Sequence, residues 1–235
     1  WKSGELMSSD EIVDLQFQSK TPVLVQTAYR FHFVYRKARG ALLRKPKILV
    51  LGDSRVLGIS ENFFKDATFY NAGLLARSSR YFRRFLSMVP PGEEPEIILL
   101  GLDHNYFNSS RRNPDADGME LAFAPNEGSS GVFEACWGRV YKDYVKGKFR
   151  LKDVFAPQGP VRKIGLFALA KNDGIRNDGS YYYGEYIAHP EKAGQESRFQ
   201  HTYDAMAEGT QDWNPDELIA SSALKEVELF LMECK

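Results

Sequence analysis

Apolar and polar residues alternate in blocks between residues 47 and 105, and each block predicts one element. The run KILVL from Lys47 is typical of a strand buried on both faces, and VLGISENFF after it has the apolar spacing of a helix. ATFYNAG predicts a second strand ending at Gly73, SSRYFRRFLSMV a helix capped by Ser78 or Ser79, and PEIILLG a third strand ending at Gly101. Three successive strand–helix units predict an α/β fold, a three-layer α/β/α sandwich with a mainly parallel sheet.

The segments that flank these units carry weaker patterns. Residues 1–46 open with a Ser-Ser-Asp-Glu capping pattern and show helical spacing after Pro22, so we expect a helical lead-in. Its basic tail, with Lys37, is expected to face solvent, with contact to phosphate or lipid headgroups as the alternative. Residues 47–235 then form the α/β domain, with a long insertion at about 108–213. Within it, VFEACWGRVYKDYVKG predicts a helix, VRKIGLFALAKNDG a strand or short helix, and NDGSYYYGEY a half-buried hairpin or an aromatic row that stacks on sugars.

Composition narrows the classes of partner. The chain has 235 residues, with 31 basic and 31 acidic side chains, so no overall field attracts nucleic acid or an anionic membrane. No run approaches the length of a membrane span, and the first residues do not resemble a signal peptide, although an anchor upstream of this sequence remains open. Cys136 and Cys234 have no metal-ligand spacing; buried free thiols are the favoured interpretation, with a disulfide between them as the alternative.

Polar residues follow each of the three predicted strands. Asp53 and Ser54 come after the first strand, Asn71 to Gly73 close the second, and Asp103 with its neighbours follows the third. Ligands of parallel sheets bind at the carboxyl ends of the strands, so we expect these residues to converge in one cleft. Ser54 then has two interpretations, a nucleophile or a helix cap.

These residues resemble the SGNH, or GDSL-type, hydrolases over about a quarter of the chain. Gly52, Asp53 and Ser54 match the first block of that family, and the resemblance implies Ser54 as a nucleophile that forms an acyl-enzyme. It also implies an oxyanion donor at the backbone of Gly73. In the third block Asp103 stands where the family has asparagine, and because an ionised carboxylate cannot donate a hydrogen bond, Asn105 is the substitute we consider.

The stretches GLDHNYFN and RNDGSYYYG resemble a divergent branch of this superfamily that is encoded with bacterial cell-surface polysaccharide modification. The resemblance implies an esterase or O-acyltransferase acting on a carbohydrate acyl group, an acylated carbohydrate or polysaccharide as partner, and an extracytoplasmic location. It implies no metal or organic cofactor. Asp53 and Arg55, on either side of the serine, are candidate substrate-binding residues.

The base that such a serine requires has no clear candidate. The family places it in an Asp-x-x-His block, and none of His32, His104, His189 and His201 has an aspartate three residues before it. His104 and His189 are the candidates within the chain. The helix that begins with Asn214 as its cap runs to the end of the sequence, so we expect a truncated domain with its base beyond Lys235. The alternative is a catalytically inactive module that binds polysaccharide or assists its assembly.

Overall fold

The strands lie in two separate sheets in the computed structural model, which describes residues 3–28, 33–75, 79–102, 106–107, 130–156, 159–190, 204, 207–209 and 221–234. The described helices of five residues or more are α1 (Ser9–Gln18), α2 (Phe33–Arg44), α3 (Ser79–Leu86), α4 (Ser130–Val145), α5 (Leu151–Phe155), α6 (Leu166–Lys171), α7 (Gly184–Ala188) and α8 (Ser221–Glu233). The strands are β1 (Val23–Val25), β2 (Ile48–Gly52), β3 (Phe69–Asn71), β4 (Ile97–Gly101), β5 (Arg162–Ile164), β6 (Asp173–Ile175) and β7 (Tyr181–Tyr183). The protein is therefore a mixed α/β fold in which parallel pairing predominates.

The first sheet has the order β3-β2-β4, and all its strands are parallel. Every residue of the central strand β2 is buried. The chain passes from β2 to β3 on one side and then crosses to β4 on the other, so the strand order reverses at β2. A reversal of this kind opens a crevice at the carboxyl ends of the strands.

The two faces of β2 are covered differently, because successive side chains point to opposite faces. Leu49 and Leu51 pack in a cluster to which helices α2, α3 and α8 contribute, with Ala38, Ala41, Phe82, Phe85 and Phe230 among its members. Ile48 and Val50 pack on the other face, with Val56 and Phe69. This two-sided burial explains why β2 is apolar throughout.

The second sheet joins residues that are far apart in the sequence. Its order is β5-β1-β6-β7; β1 is parallel to β5, and β6 is antiparallel to both β1 and β7. Helix α1 covers it through Ile12, which packs with Val23, Val25 and Ile164. The first part of the chain and the predicted insertion thus fold together.

The predicted helical lead-in is wrong for Val23–Val25, which form β1 in the middle of this second sheet. All three residues are buried. A short apolar run cannot be assigned to strand or helix by its period alone, and Pro22 is as compatible with the start of a strand as with the start of a helix. Pairing with β5 and β6 decides for the strand.

The predicted helix after β2 is also wrong, since two 3-10 turns, Ser54–Gly58 and Glu61–Phe63, replace it. The amide of Ile59 bonds to the carbonyl of Val56, three residues back. The carbonyl oxygens of Val56 and Ile59 also accept hydrogen bonds from the side-chain amide of Asn71. The first 3-10 turn is therefore held by a residue of another strand, Asn71 of β3.

Other predictions are confirmed. Strand β4 ends at Gly101, helix α4 covers the stretch expected to be helical, and both a strand and a short helix occur in VRKIGLFALAK, as β5 and α6. Strand β3 ends at Asn71, two residues before the predicted end. Helix α3 begins at Ser79; Ser78 and the cap at Asn214 lie outside the described residues. The tyrosine stretch forms the hairpin of β6 and β7.

Two further findings concern the membrane and the cysteines. Among the described residues, no helix is both long and apolar enough to cross a bilayer. Cys234 is an exposed free thiol near the end of α8, so the expectation of a buried thiol is wrong for this cysteine, and it forms no disulfide. The side chain of Cys136 lies outside the described residues.

Two polar side chains, the buried Glu5 and the partly buried Asn177, hold the second sheet to its surroundings. The carboxylate of Glu5 accepts hydrogen bonds from the amides of Ala28 and Leu166, at 2.7 and 2.9 Å. Asn177, in the turn between β6 and β7, accepts from the amide of Val23 at 2.8 Å and donates to the carbonyls of Ser19 and Thr21. These contacts fix where β1 begins and ends.

The role of Asn177 can be tested by substitution. Asn177→Ala leaves the amide of Val23 without its acceptor, and we expect the free energy of unfolding to fall by about 1 to 3 kcal/mol. Asn177→Asp keeps the acceptor and should lose less. Urea titrations followed by circular dichroism measure both stabilities. Equal stabilities of Asn177→Ala and the unaltered protein would contradict the hydrogen bond described at the start of β1.

Candidate functional site

Ser54 lies at the carboxyl end of the central strand. Strand β2 ends at Gly52, and Asp53 caps the first 3-10 turn by accepting a hydrogen bond from the amide of Arg55 at 2.8 Å. Ser54 is the first residue of that turn and is exposed. Among the described residues none is hydrogen-bonded to its hydroxyl. Asp53 therefore takes the capping role, which leaves the Ser54 hydroxyl available for chemistry.

Glycine at position 52 lets strands β2 and β4 approach each other closely just before Ser54. Gly52 has a φ of +151° and stands opposite Gly101 in the register of β2 and β4. A Cβ atom at position 52 would lie 2.9 Å from the carbonyl oxygen of Gly101. Residues 53 and 102 consequently leave the sheet side by side at its carboxyl edge.

Asn71 fixes the turn that carries the serine. Its side chain is fully buried, and its Nδ2 donates to the carbonyl oxygens of Val56 and Ile59, each at 2.7 Å. Its Oδ1 accepts from the amide of Gly73 at 2.8 Å. One side chain at the end of β3 thus holds both its own following loop and the loop that follows β2.

This last bond bears directly on the expected oxyanion hole. The resemblance implied Gly73 as a backbone donor, and the structure places it against Val56 and Leu57 of the Ser54 turn. Its amide, however, is engaged with Asn71 Oδ1. A substrate oxyanion at Gly73 would therefore have to replace the side chain of Asn71 as the acceptor.

The hairpin turn between β6 and β7 also contacts Asn71 and the turns after β2. We call this contact region the junction, and it includes Asn71, Asp178 and Gly179. The carbonyl of Asp178 accepts from the amide of Asn71, and its buried carboxylate accepts from the amides of Glu61 and Ser180, all at 2.8 to 2.9 Å. Gly179 has a φ of +79°, and a Cβ atom there would lie 2.3 Å from the carbonyl oxygen of Asn71. Glycine is what allows the second sheet to approach the first at this point.

Lys37 of α2 is the third buried polar residue at the junction. It is 1% exposed, and its Nζ donates to the carbonyls of Asn71, at 2.7 Å, and of Gly179. Burial lowers the pKa of Lys37 to about 7, and the negative charge of Asp178 opposes the shift. The expectation that this lysine faces solvent is therefore wrong. Lys37 lies on the buried side of α2, together with Gly40 and Ala41 one turn further along the helix.

The other predicted site residues are distributed as follows. Arg55 is exposed, with its Nε 3.9 Å from Asp53 Oδ2. His189 is exposed just after α7, and no hydrogen bond joins it to Ser54. The remaining candidates lie outside the described residues. They are Asp103, His104 and Asn105 of the third block and the two other histidines, His32 and His201. The structure thus places Gly73 against the turn that Asp53 caps and Ser54 begins.

Three buried residues organise this region: the sequence placed Asn71 in the expected cleft without a role, placed Lys37 in solvent, and did not indicate Asp178. Each is buried with several hydrogen bonds, and each contacts a segment distant in sequence. In the part of the chain that the structure describes, no group of three or more His, Cys, Asp or Glu side chains is arranged to hold a metal ion.

Comparisons with protein-family models, with curated proteins and with solved structures gave no match.

The buried lysine predicts a pH dependence of stability. Between pH 7 and 10.5 the unfolded chain keeps a proton on Lys37 that the folded protein has released, so raising the pH in this window favours the folded state. Relative to Lys37→Met, the free energy of unfolding should rise by at most about 1.4 kcal/mol per pH unit. Urea titrations at several pH values measure the slope. The control Lys65→Met, at an exposed position, should retain the slope, whereas a Lys37→Met protein that also retains it would contradict the assignment.

Proposed function

We propose that the protein is a serine esterase or O-acyltransferase that acts on acyl groups of a carbohydrate through an acyl-enzyme on Ser54. The observation that carries the proposal is the exposed Ser54 at the end of the central parallel strand, where the strand order reverses. The carbohydrate and the extracytoplasmic location rest on the resemblance of the sequence motifs alone.

The finer fold is part of this proposal. The first sheet has the order of the central strands of flavodoxin-like folds, and helices α2, α3 and α8 cover one face of it. On the other face the described cover is the pair of 3-10 turns, through Val56, Ile59 and Phe64. We infer an SGNH-type three-layer sandwich in which these turns replace a helix of the second outer layer.

The chemistry would begin with attack of the Ser54 oxygen on the ester carbonyl. A general base takes the hydroxyl proton and returns it to the sugar oxygen as the ester C–O bond breaks, which leaves the acyl group on Ser54. Water or a second hydroxyl then gives its proton to the base, takes the acyl group and restores the serine. The turn helps by holding Ser54 in one position, since the carbonyls of Val56 and Ile59 are both bound by Asn71. Fixed placement of a nucleophile is a principal source of rate enhancement.

The second candidate function is a catalytically inactive, polysaccharide-binding module. One observation favours it: the amide of Gly73, expected to bind the oxyanion, already donates to Asn71. Removal of an oxyanion donor typically costs about 10² to 10³ in rate, so a serine with this donor occupied would be a weak catalyst. The two functions make opposite predictions for Ser54.

A fluorophosphonate probe tests the nucleophile. The proposal requires a general base beside the exposed hydroxyl of Ser54, so Ser54 should be labelled and should support hydrolysis of an aryl acetate, and Ser54→Ala should lose both signals. Ser87→Ala, a change at another exposed serine, is the matched control and should keep them. If the unaltered protein and Ser54→Ala react equally slowly while both bind an acylated polysaccharide, the binding function is the correct one.

A further inference from the structure

Helix α4 presents apolar side chains on two sides. Val140 packs inward, in the cluster that contains Phe149 and Leu166. Trp137, Tyr141 and Val145 follow one another at intervals of four residues and are 56%, 70% and 65% exposed. Since residues four apart lie on the same side of a helix, these three form an apolar stripe, and each keeps more than half of its surface exposed.

The stripe continues on α5, the next helix. Val154 packs into the same inner cluster as Val140, whereas Leu151 and Phe155 are 51% and 61% exposed. Gly147, in the left-handed region at φ +71°, lies in the short turn between the two helices. We call the exposed set the α4–α5 face: Trp137, Tyr141, Tyr144, Val145, Leu151 and Phe155. A cluster of exposed large apolar residues of this kind marks an interaction surface.

The charges around this face are strongly biased. Residues 137–155 contain six basic and two acidic residues, which is a formal charge of +4 in a chain whose formal charge is zero. All six basic residues are exposed: Arg139, Lys142, Lys146, Lys148, Arg150 and Lys152. Lys148 pairs with Asp143 at 2.8 Å. The excess is therefore local, and the complementary partner is negatively charged.

The combination of side chains distinguishes between partners. The cores of protein interfaces are depleted in lysine, whereas this face carries lysines beside its apolar residues. Tryptophan and tyrosine are favoured at the boundary between lipid headgroups and hydrocarbon, and lysine stems lie along apolar surface while their ammonium groups reach the headgroups. A helix with one aromatic side flanked by basic residues lies in the plane of that boundary.

We propose that the α4–α5 face binds the surface of an anionic lipid bilayer, with α4 parallel to the membrane. Its aromatic and aliphatic side chains enter the headgroup region, and the basic residues pair with lipid phosphates. This inference does not depend on the chemistry at Ser54.

The test uses vesicles of phosphatidylcholine containing about one-third phosphatidylglycerol, and vesicles of phosphatidylcholine alone. The protein should sediment with the anionic vesicles, lose this binding as salt screens the charges, and bind neutral vesicles weakly. Trp137 is a built-in reporter, because its fluorescence should shift to shorter wavelength on binding. Trp137→Phe, which preserves an aromatic ring, should bind with no such shift from this position.

Paired charge reversals separate the face from net charge. Lys142→Glu with Lys146→Glu should weaken binding roughly 25-fold or more, at roughly fivefold for each lysine. The control Lys20→Glu with Lys65→Glu changes the net charge equally at exposed positions elsewhere and should retain most of the binding. Equal effects of the two pairs, or no binding to anionic vesicles, would overturn the proposal. So would a dimer that Tyr141→Asp converts to a monomer, because the face would then be covered by a second copy of the chain.

Discussion

The hydrogen bonds of Asn71 are the constraint on which the site depends. This buried residue, at the end of β3, contacts the turn after β2 through its side-chain amide, the loop before α3 through its carboxamide oxygen, and the second sheet through its backbone amide. A typical hydrogen bond contributes about 0.5 to 1.5 kcal/mol net, but an unsatisfied buried partner costs more than that. The junction therefore favours one arrangement over looser alternatives, and that arrangement includes the position of Ser54.

Two buried ionisable side chains, Lys37 and Asp178, contribute hydrogen bonds to this junction. Lys37 donates a hydrogen bond to the carbonyl of Asn71. The Asp178 carboxylate accepts from an amide in the turns after β2 and from an amide of its own hairpin. A buried charge is costly unless it is paired or hydrogen-bonded, and the lowered pKa of Lys37 records the part of that cost that its partners do not offset. Lys37 and Asp178 are thus buried, whereas Ser54 itself is exposed.

The sequence was sufficient for the parts of the fold whose signals are local. The runs KILVL and EIILL predict β2 and β4 because short, continuously apolar runs are typical of strands in parallel sheets, although only β2 is fully buried and β4 is partly exposed. Gly-Asp-Ser directly after β2 indicates Ser54 as a candidate. Strand β1 could not be predicted in this way, because its neighbour β5 lies about 140 residues further on, from Arg162. The same holds for the 3-10 turns, whose carbonyls are bound by Asn71, and for Lys37, whose acceptors belong to distant segments. Long-range polar contacts leave no periodic pattern in the sequence.

The central claim is that one buried asparagine couples the Ser54 turn to the second sheet. Amide hydrogen exchange of Asn71→Asp tests it, because this change removes the two Nδ2 donors and keeps an acceptor for Gly73. We expect faster exchange at Ile59 and Glu61 and also at Ser180, across the junction, with helix α8 unaffected. Faster exchange confined to the turn between Ser54 and Ser60, with Ser180 unchanged, would contradict the coupling.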